Sequence, residues 1–96
     1  MAGTAYNTAQ AQAALAQVQG WSVNSQGEIE KRFKFENFVQ ALAFVNKIGS
    51  VAEEMQHHPD ITINYNRVTL SVTTHDVSGL SQKDFDLAAR ANQLTD

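Results

Sequence analysis

Three histidines that lie within 19 residues of each other are the side chains of this chain best suited to proton transfer or metal binding. The chain has no Cys, which excludes disulfides, thiol nucleophiles, and zinc or iron–sulfur sites built on thiolates. The remaining candidates for proton transfer or metal binding are His57, His58, His75 and the carboxylates near them, because imidazole exchanges protons near neutral pH. Glu53 stands four residues before His57, so on a helix the two side chains meet on one face. Such a carboxylate would fix the imidazole tautomer and favour its protonated form.

The spacing alone leaves three interpretations of the His57–His58 pair open. A histidine at a helix C-terminus can serve only as a favourable partner of the helix dipole. A metal site is less well supported, because helical neighbours project about 100° apart and cannot both face one ion unless the helix ends there. Acid–base catalysis is the third interpretation. His75 lies off the apolar face of its strand, so it is either exposed or lines a polar cleft together with the pair.

The elements that must position these residues follow from apolar periodicity and turn signals. The predicted order is helix, strand, strand, helix, strand, strand, helix. The approximate bounds are residues 7–19, 21–23, 28–35, 38–56, 61–65 and 68–72, with a last helix that starts at a Ser81–Asp84 capping box and includes Leu94. Two antiparallel hairpins joined by a helix predict one α+β domain over residues 1–96, with a four-stranded antiparallel sheet and three helices on one face.

Local signals refine the long central helix and the second hairpin. Asn37 with Gln40 resembles a capping box, and Pro59 places the helix end near the histidine pair. Phe44 and Val51 lie off the main apolar stripe of this helix, so they are predicted to contact something beyond their own sheet, such as a second subunit. A tight turn is predicted at residues 66–67.

Composition and charge exclude several classes of function. The net charge of −3 lacks the basic footprint that sequence-independent nucleic-acid binding needs, so direct nucleic-acid binding is not expected. The longest uninterrupted apolar stretch, residues 41–45, is far shorter than the ~20 residues of a membrane span. We therefore expect a soluble, cytoplasmic domain.

The histidines also belong to a longer pattern. Its most specific motifs are Glu53-x-x-x-His57-His58-Pro59, Tyr65-Asn66 with Val68, Thr74-His75, Gly79-Leu80-Ser81 and Asp84. With these motifs, the sequence resembles the pterin-4a-carbinolamine dehydratases, which are also called dimerization cofactors of a homeodomain transcription factor. The resemblance covers about residues 20–94 and includes Trp21, Phe33-x-Phe35 and Asn37-Phe38.

The resemblance implies an enzyme that removes water from 4a-hydroxytetrahydropterin and yields quinonoid dihydropterin, a step of tetrahydrobiopterin recycling. It implies that His57 and His75 are the acid–base pair, that His58 binds the departing hydroxyl and that Glu53 orients the cluster. It does not say which histidine is the acid. The residues implied to contact the pterin are Gln56, His57, His58, Thr73, Thr74, His75, Asp76, Lys83 and Asp84.

The resemblance also carries expectations about cofactors and partners. The family needs no metal and no redox cofactor, forms homodimers and homotetramers, and acts on the product of aromatic amino-acid hydroxylases. Ile61 stands where many animal members carry Trp, so aromatic packing at the mouth of the site is not expected. The alternative function is a non-catalytic interaction or assembly role on the same fold. The complete set of Glu53, His57, His58 and His75 favours the enzyme.

Overall fold

The computed structural model describes residues 4–95, in which four strands form one antiparallel sheet accompanied by three helices. The elements are α1 (Thr8–Leu15), β1 (Ser22–Val23), β2 (Ile29–Lys34), α2 (Phe38–Met55), β3 (Asp60–Asn64), β4 (Arg67–Val72) and α3 (Gln82–Gln93). A short 3₁₀ turn, His75–Val77, follows β4. The predicted fold class and the order α-β-β-α-β-β-α are confirmed.

The strands lie in the order β1-β2-β4-β3, so the centre of the sheet pairs two strands that are distant in the chain. In that pairing Ile29 lies opposite Val72 and Phe33 lies opposite Val68. These side chains and that of Leu70 are buried, whereas Thr69 and Ser71, which alternate with them in β4, are half-buried. One face of the sheet therefore belongs to the core and the other face is open, as alternation along the strands requires.

Helix α2 packs on the sheet at a rotation that differs from the one its periodicity predicted, so four of its apolar residues change places between core and surface. Phe44 and Val51, which were expected to reach a partner, are buried at 3% and 6% exposure, and the Phe44 ring lies 4.7 Å from that of Phe33. Phe38 and Leu42, which the helical period places on the main apolar stripe, are instead exposed. The prediction was wrong because an apolar surface this wide fits several rotations about the helix axis, and the sheet's aromatic residues select one.

The helices start at capping residues, and most differences from the predicted elements concern where elements end. Asn7 and Asn37 accept hydrogen bonds from the backbone N–H groups of Gln10 and Gln40 at 2.8 Å and 2.9 Å. Helix α1 ends at Leu15 rather than at residue 19, and residues 16–20 form turns. The tight turn of the second hairpin is at residues 65–66, one position earlier than predicted, and Tyr65 adopts the left-handed region with φ 53°.

The predicted absence of a membrane span and the extent of the hydrophobic core concern the chain as a whole. Within residues 4–95 no helix has both the length and the apolar content that crossing a membrane requires. The core runs through the described helices and the sheet as one cluster, from Trp21 and Ile29 to Ile48, Leu70 and Leu87.

Candidate active site

The C-terminal end of α2 sets the positions of the histidine pair. The helix ends at Met55, and Gln56 adopts the left-handed conformation with φ 54°. The N–H of His57 then donates to the carbonyl of Ala52 at 3.0 Å, a bond that closes the helix end in the manner of a Schellman motif. The Gln56 side chain supports this turn, because its Nε2 donates to the Glu53 carbonyl at 2.8 Å. His57 therefore lies beyond the helix.

His57 makes its main contact with a carboxylate from the start of α3. Its Nε2 lies 2.6 Å from Oδ1 of Asp84, and the two side chains are 11% and 0% exposed. An aspartate carboxylate only accepts hydrogen bonds, so Nε2 of His57 donates and carries the hydrogen. This leaves Nδ1 as the nitrogen that can exchange a proton with another group.

The second oxygen of Asp84 is held by the segment that precedes α3 and by the end of β4. Oδ2 accepts from the Ser81 backbone N–H at 2.9 Å and from the Thr74 hydroxyl at 2.8 Å. Because the one Thr74 hydroxyl hydrogen points to Asp84, the Ser81 hydroxyl donates to Thr74 Oγ1 at 2.6 Å. Four groups thus form a continuous chain of hydrogen bonds that joins the ends of α2 and β4 to the start of α3.

His58 pairs with Glu53, and this corrects the predicted Glu53–His57 contact. Nε2 of His58 donates to Oε2 of Glu53, and the two side chains are 57% and 72% exposed. The four-residue spacing would join Glu53 to His57 only if the helix continued through His57. The left-handed turn at Gln56 breaks that geometry, so the carboxylate meets the next imidazole instead.

His75 follows Thr74 in the chain, at the start of the 3₁₀ turn, and is exposed. The Thr74 N–H donates to the Gly79 carbonyl at 2.9 Å, which closes the loop that presents His75. His75 lines a cavity of about 280 Å³ together with the β1–β2 turn and Thr73. His57 and His58 are not among the residues that line this cavity, so Thr74 and Asp84 are the recorded link between His57 and the His75 loop.

The remaining predicted substrate contacts fall into two groups. Gln56, Asp76 and Lys83 are exposed and Thr73 is half-buried, positions from which a ligand could be reached. Asp84 is fully buried, and its oxygens are occupied by His57, Thr74 and Ser81. These bonds engage both carboxylate oxygens and favour a supporting role for Asp84, and its contact with the pterin stays a prediction.

Sequence reasoning missed Ser81 as a site residue and missed the bond that Asp84 makes to His57. The Ser81–Asp84 capping box was a signal for one of these contacts, and the structure contains that box. Among residues 4–95, no group of three or more His, Asp or Glu side chains is arranged to hold a metal ion. The absence of a metal from the working protein remains a prediction.

Known proteins are similar to this one over most of the chain. A model of the family described as Pterin 4 alpha carbinolamine dehydratase matches residues 4–94. A relative from Picosynechococcus sp. is 54% identical over 86% of this chain and 89% of its own length, and one from Sulfolobus acidocaldarius is 44% identical over 83% and 87%. Both carry the provisional name pterin-4-alpha-carbinolamine dehydratase.

Solved structures agree with the fold. A crystal structure of a transcriptional coactivator/pterin dehydratase from Brucella melitensis has a TM-score of 0.90 and 29% identity, and the match covers 95% of this chain and 98% of that one. A pterin dehydratase-like protein described as a RuBisCO assembly factor has a TM-score of 0.68 at 23% identity, over 79% of this chain and 89% of its own. The second likeness concerns the fold alone. From the family match and the two relatives, the chain belongs to the pterin-4-alpha-carbinolamine dehydratase family.

Proposed function

We propose that this protein is a 4a-hydroxytetrahydrobiopterin dehydratase that works by histidine acid–base catalysis. The observation that carries the proposal is the buried chain from His57 through Asp84 to Thr74, because it holds one imidazole with a defined nitrogen free for proton transfer. Family membership supports the pterin as substrate. The proposed setting is tetrahydrobiopterin recycling in the cytoplasm, after an aromatic amino-acid hydroxylase has formed the carbinolamine.

The reaction requires one proton to be given and one to be taken. The C4a–O bond breaks, and the hydroxyl leaves as water after receiving a proton from the acid. The base removes the proton from N5, whose electron pair forms the N5=C4a double bond. This elimination is redox-neutral, so the proposed mechanism uses neither a redox cofactor nor a metal.

Each site residue has a role in this proposal. His57 and His75 form the acid–base pair, and His58 binds and polarises the departing hydroxyl. Glu53 orients His58, and Asp84 acts as a positioning residue in this proposal because its buried carboxylate holds His57. Gln56, Thr73 and Asp76 would contact the pterin edge, and Lys83, in the first turn of α3, would lie near the ligand.

Stopped-flow absorbance on chemically generated 4a-hydroxytetrahydropterin tests the proposal. We expect the protein to accelerate dehydration and His57→Ala or His75→Ala to reduce the catalysed rate by about 100-fold or more. Lys47→Ala, an exposed change on α2, is the matched control and should keep the parent rate. A parent protein no faster than the uncatalysed reaction would rule out the enzyme and leave a non-catalytic interaction role.

Self-association is the second part of the proposal. Helix α2 exposes Phe38 at 44%, Val39 at 74% and Leu42 at 37%, an apolar surface that a homodimer or homotetramer would cover. Light scattering on the eluted protein gives the mass directly. Leu42→Asp is expected to shift that mass toward the monomer, and a parent protein that is already monomeric would contradict this part.

A further inference from the structure

A cluster of three positive side chains lies on the open face of the sheet, at the end away from the candidate active site. In the register of β2 and β4, Lys34 lies directly opposite Arg67, and Arg32 is two residues from Lys34 on the same strand. All three alternate with the buried residues Phe33 and Val68, so they share the open face. Residues directly opposite each other have Cβ atoms about 5 Å apart, so the charges are concentrated in a small area.

The cluster is not neutralised within the protein. Arg32, Lys34 and Arg67 are exposed, and no ion pair recorded for residues 4–95 includes any of them. Like charges directly opposite each other across an antiparallel pair destabilise a sheet. Lys34 and Arg67 are moreover a non-hydrogen-bonded pair, because the N–H of the next residue, Phe35, donates to Asn66, and in such pairs the side chains approach most closely.

The neighbouring side chains on the same face do not relieve this repulsion. Thr62, Asn64 and Thr69 fill the positions opposite the cluster on β3 and β4, and all three are uncharged. The nearest carboxylates on β2 and just after it are those of Glu30 and Glu36. Glu30 is engaged by Asn24, whose Nδ2 donates to Oε1 at 3.2 Å, and neither carboxylate makes an ion pair with the cluster.

We propose that Arg32, Lys34 and Arg67 form a docking site for a short acidic segment of a partner protein. Charge complementarity defines the occupant, because three cations without a carboxylate partner are matched by two or three carboxylates spaced along an extended peptide. A long nucleic acid fits less well, since its charges recur about every 1.7 Å of helix axis and extend well beyond so small a patch. It would then meet the carboxylates of a chain with net charge −3.

This surface is separate from the proposed catalytic residues. Arg67 begins β4, whereas Thr73 and Thr74 follow its end, about 20 Å away along an extended strand. An acidic segment bound at the cluster would therefore leave the histidines accessible. The proposal does not depend on the dehydratase activity, and a catalytically dead variant should bind the peptide unchanged.

Fluorescence anisotropy with a fluorescein-labelled hexaglutamate peptide tests the proposal at low and at physiological salt. We expect binding that weakens as salt rises, and a loss of about 10-fold or more in affinity for the Lys34→Gln/Arg67→Gln double variant. Lys47→Gln removes one exposed positive charge on α2 and should change the affinity by less than about twofold.

A charge reversal separates binding from folding. Lys34→Glu places a carboxylate opposite Arg67, so its melting temperature should equal or exceed that of the parent while peptide binding is lost. Hexaglutamate binding that survives the double variant would overturn the proposal. A six-nucleotide single-stranded DNA that binds more tightly than hexaglutamate, and loses its affinity in the same variants, would also overturn it in favour of a nucleic-acid surface.

Discussion

His57 and His58 are neighbours in the chain, and each holds a carboxylate, yet their surroundings differ in almost every respect. The His57–Asp84 pair is nearly or fully buried and joins residues 27 positions apart, whereas the His58–Glu53 pair is more than half exposed and spans five positions. The Asp84 carboxylate has further donors in Thr74 and Ser81. No other hydrogen bond recorded for the described residues holds the Glu53 side chain.

This difference shows which of the two imidazole rings the fold holds in one orientation. A buried charge-assisted bond within a satisfied network has one geometry, and removal of either partner leaves a buried polar group without a bond. An exposed pair exchanges its bond with water and contributes little to stability. The fold therefore fixes the orientation of the His57 imidazole through several buried polar contacts, whereas the His58 imidazole can still reorient toward a ligand.

The largest expected effect is on catalysis after loss of His57. His57→Ala should lower the dehydration rate by about 100-fold or more, because it removes the imidazole whose orientation is set by the buried network. His58→Ala should cost clearly less, since this residue binds a hydroxyl rather than transferring the proton in the proposal. Stopped-flow rates of the two variants make the comparison. Equal losses of rate in the two variants would contradict the proposed difference between the two imidazoles.

Asp84→Asn tests whether the carboxylate acts by fixing the His57 tautomer. The amide can present its NH₂ group to Nε2, which would move the imidazole hydrogen to Nδ1, and the rate should fall by at least about 10-fold. The matched control is Asp86→Asn, which removes the same charge from an exposed residue two positions later on α3. A variant that keeps the parent rate and pH profile would show that Asp84 is only structural.

Thr74→Val keeps the shape of the side chain and removes the hydroxyl that joins Ser81 to Asp84. We expect a loss of about 1–3 kcal/mol in the free energy of unfolding, because buried polar groups lose their partner. Urea denaturation measures it, and Thr69→Val on the open sheet face should stay within about 0.5 kcal/mol of the parent. Equal stability of Thr74→Val and the parent would contradict the network.

The smallest expected effect concerns the exposed pair. Glu53→Gln should change the free energy of unfolding by less than about 1 kcal/mol, and raising the salt concentration should reduce even that difference. Glu54→Gln, which removes an exposed pair with Arg90, is the control of the same kind. Thermal melts at two salt concentrations suffice. A loss as large as that of Thr74→Val would mean that burial does not distinguish the two regions.

Much of the fold was predictable because its signals are local. Asn37 predicted the start of α2, and Pro59 predicted its end to within a few residues. Alternating apolar residues predicted the strands. The rotation of α2 was not predictable, since Phe44 becomes a core residue through its ring contacts with Phe33 of β2 and with Phe35, and helical periodicity does not report contacts with another element.

The candidate site was predictable in its residue types but not in its pairings. The Ser81–Asp84 cap has a local signature, so one contact of Asp84 could be expected. The bond from Asp84 to His57 depends on how α3 packs near the end of α2, and no spacing in the sequence reports it. The Glu53–His57 prediction was wrong because it extrapolated helical geometry past Gln56, where the backbone turns left-handed.

The cap of α3 has a consequence for how the protein responds to heat. The carboxylate that holds His57 also accepts the Ser81 N–H at the start of this helix. Helix ends open locally at a lower free energy than the whole domain needs to unfold. Fraying of the first turn of α3 would release His57 while the sheet is still intact, so hydrogen exchange at residues 81–84 and loss of activity should rise together below the melting temperature.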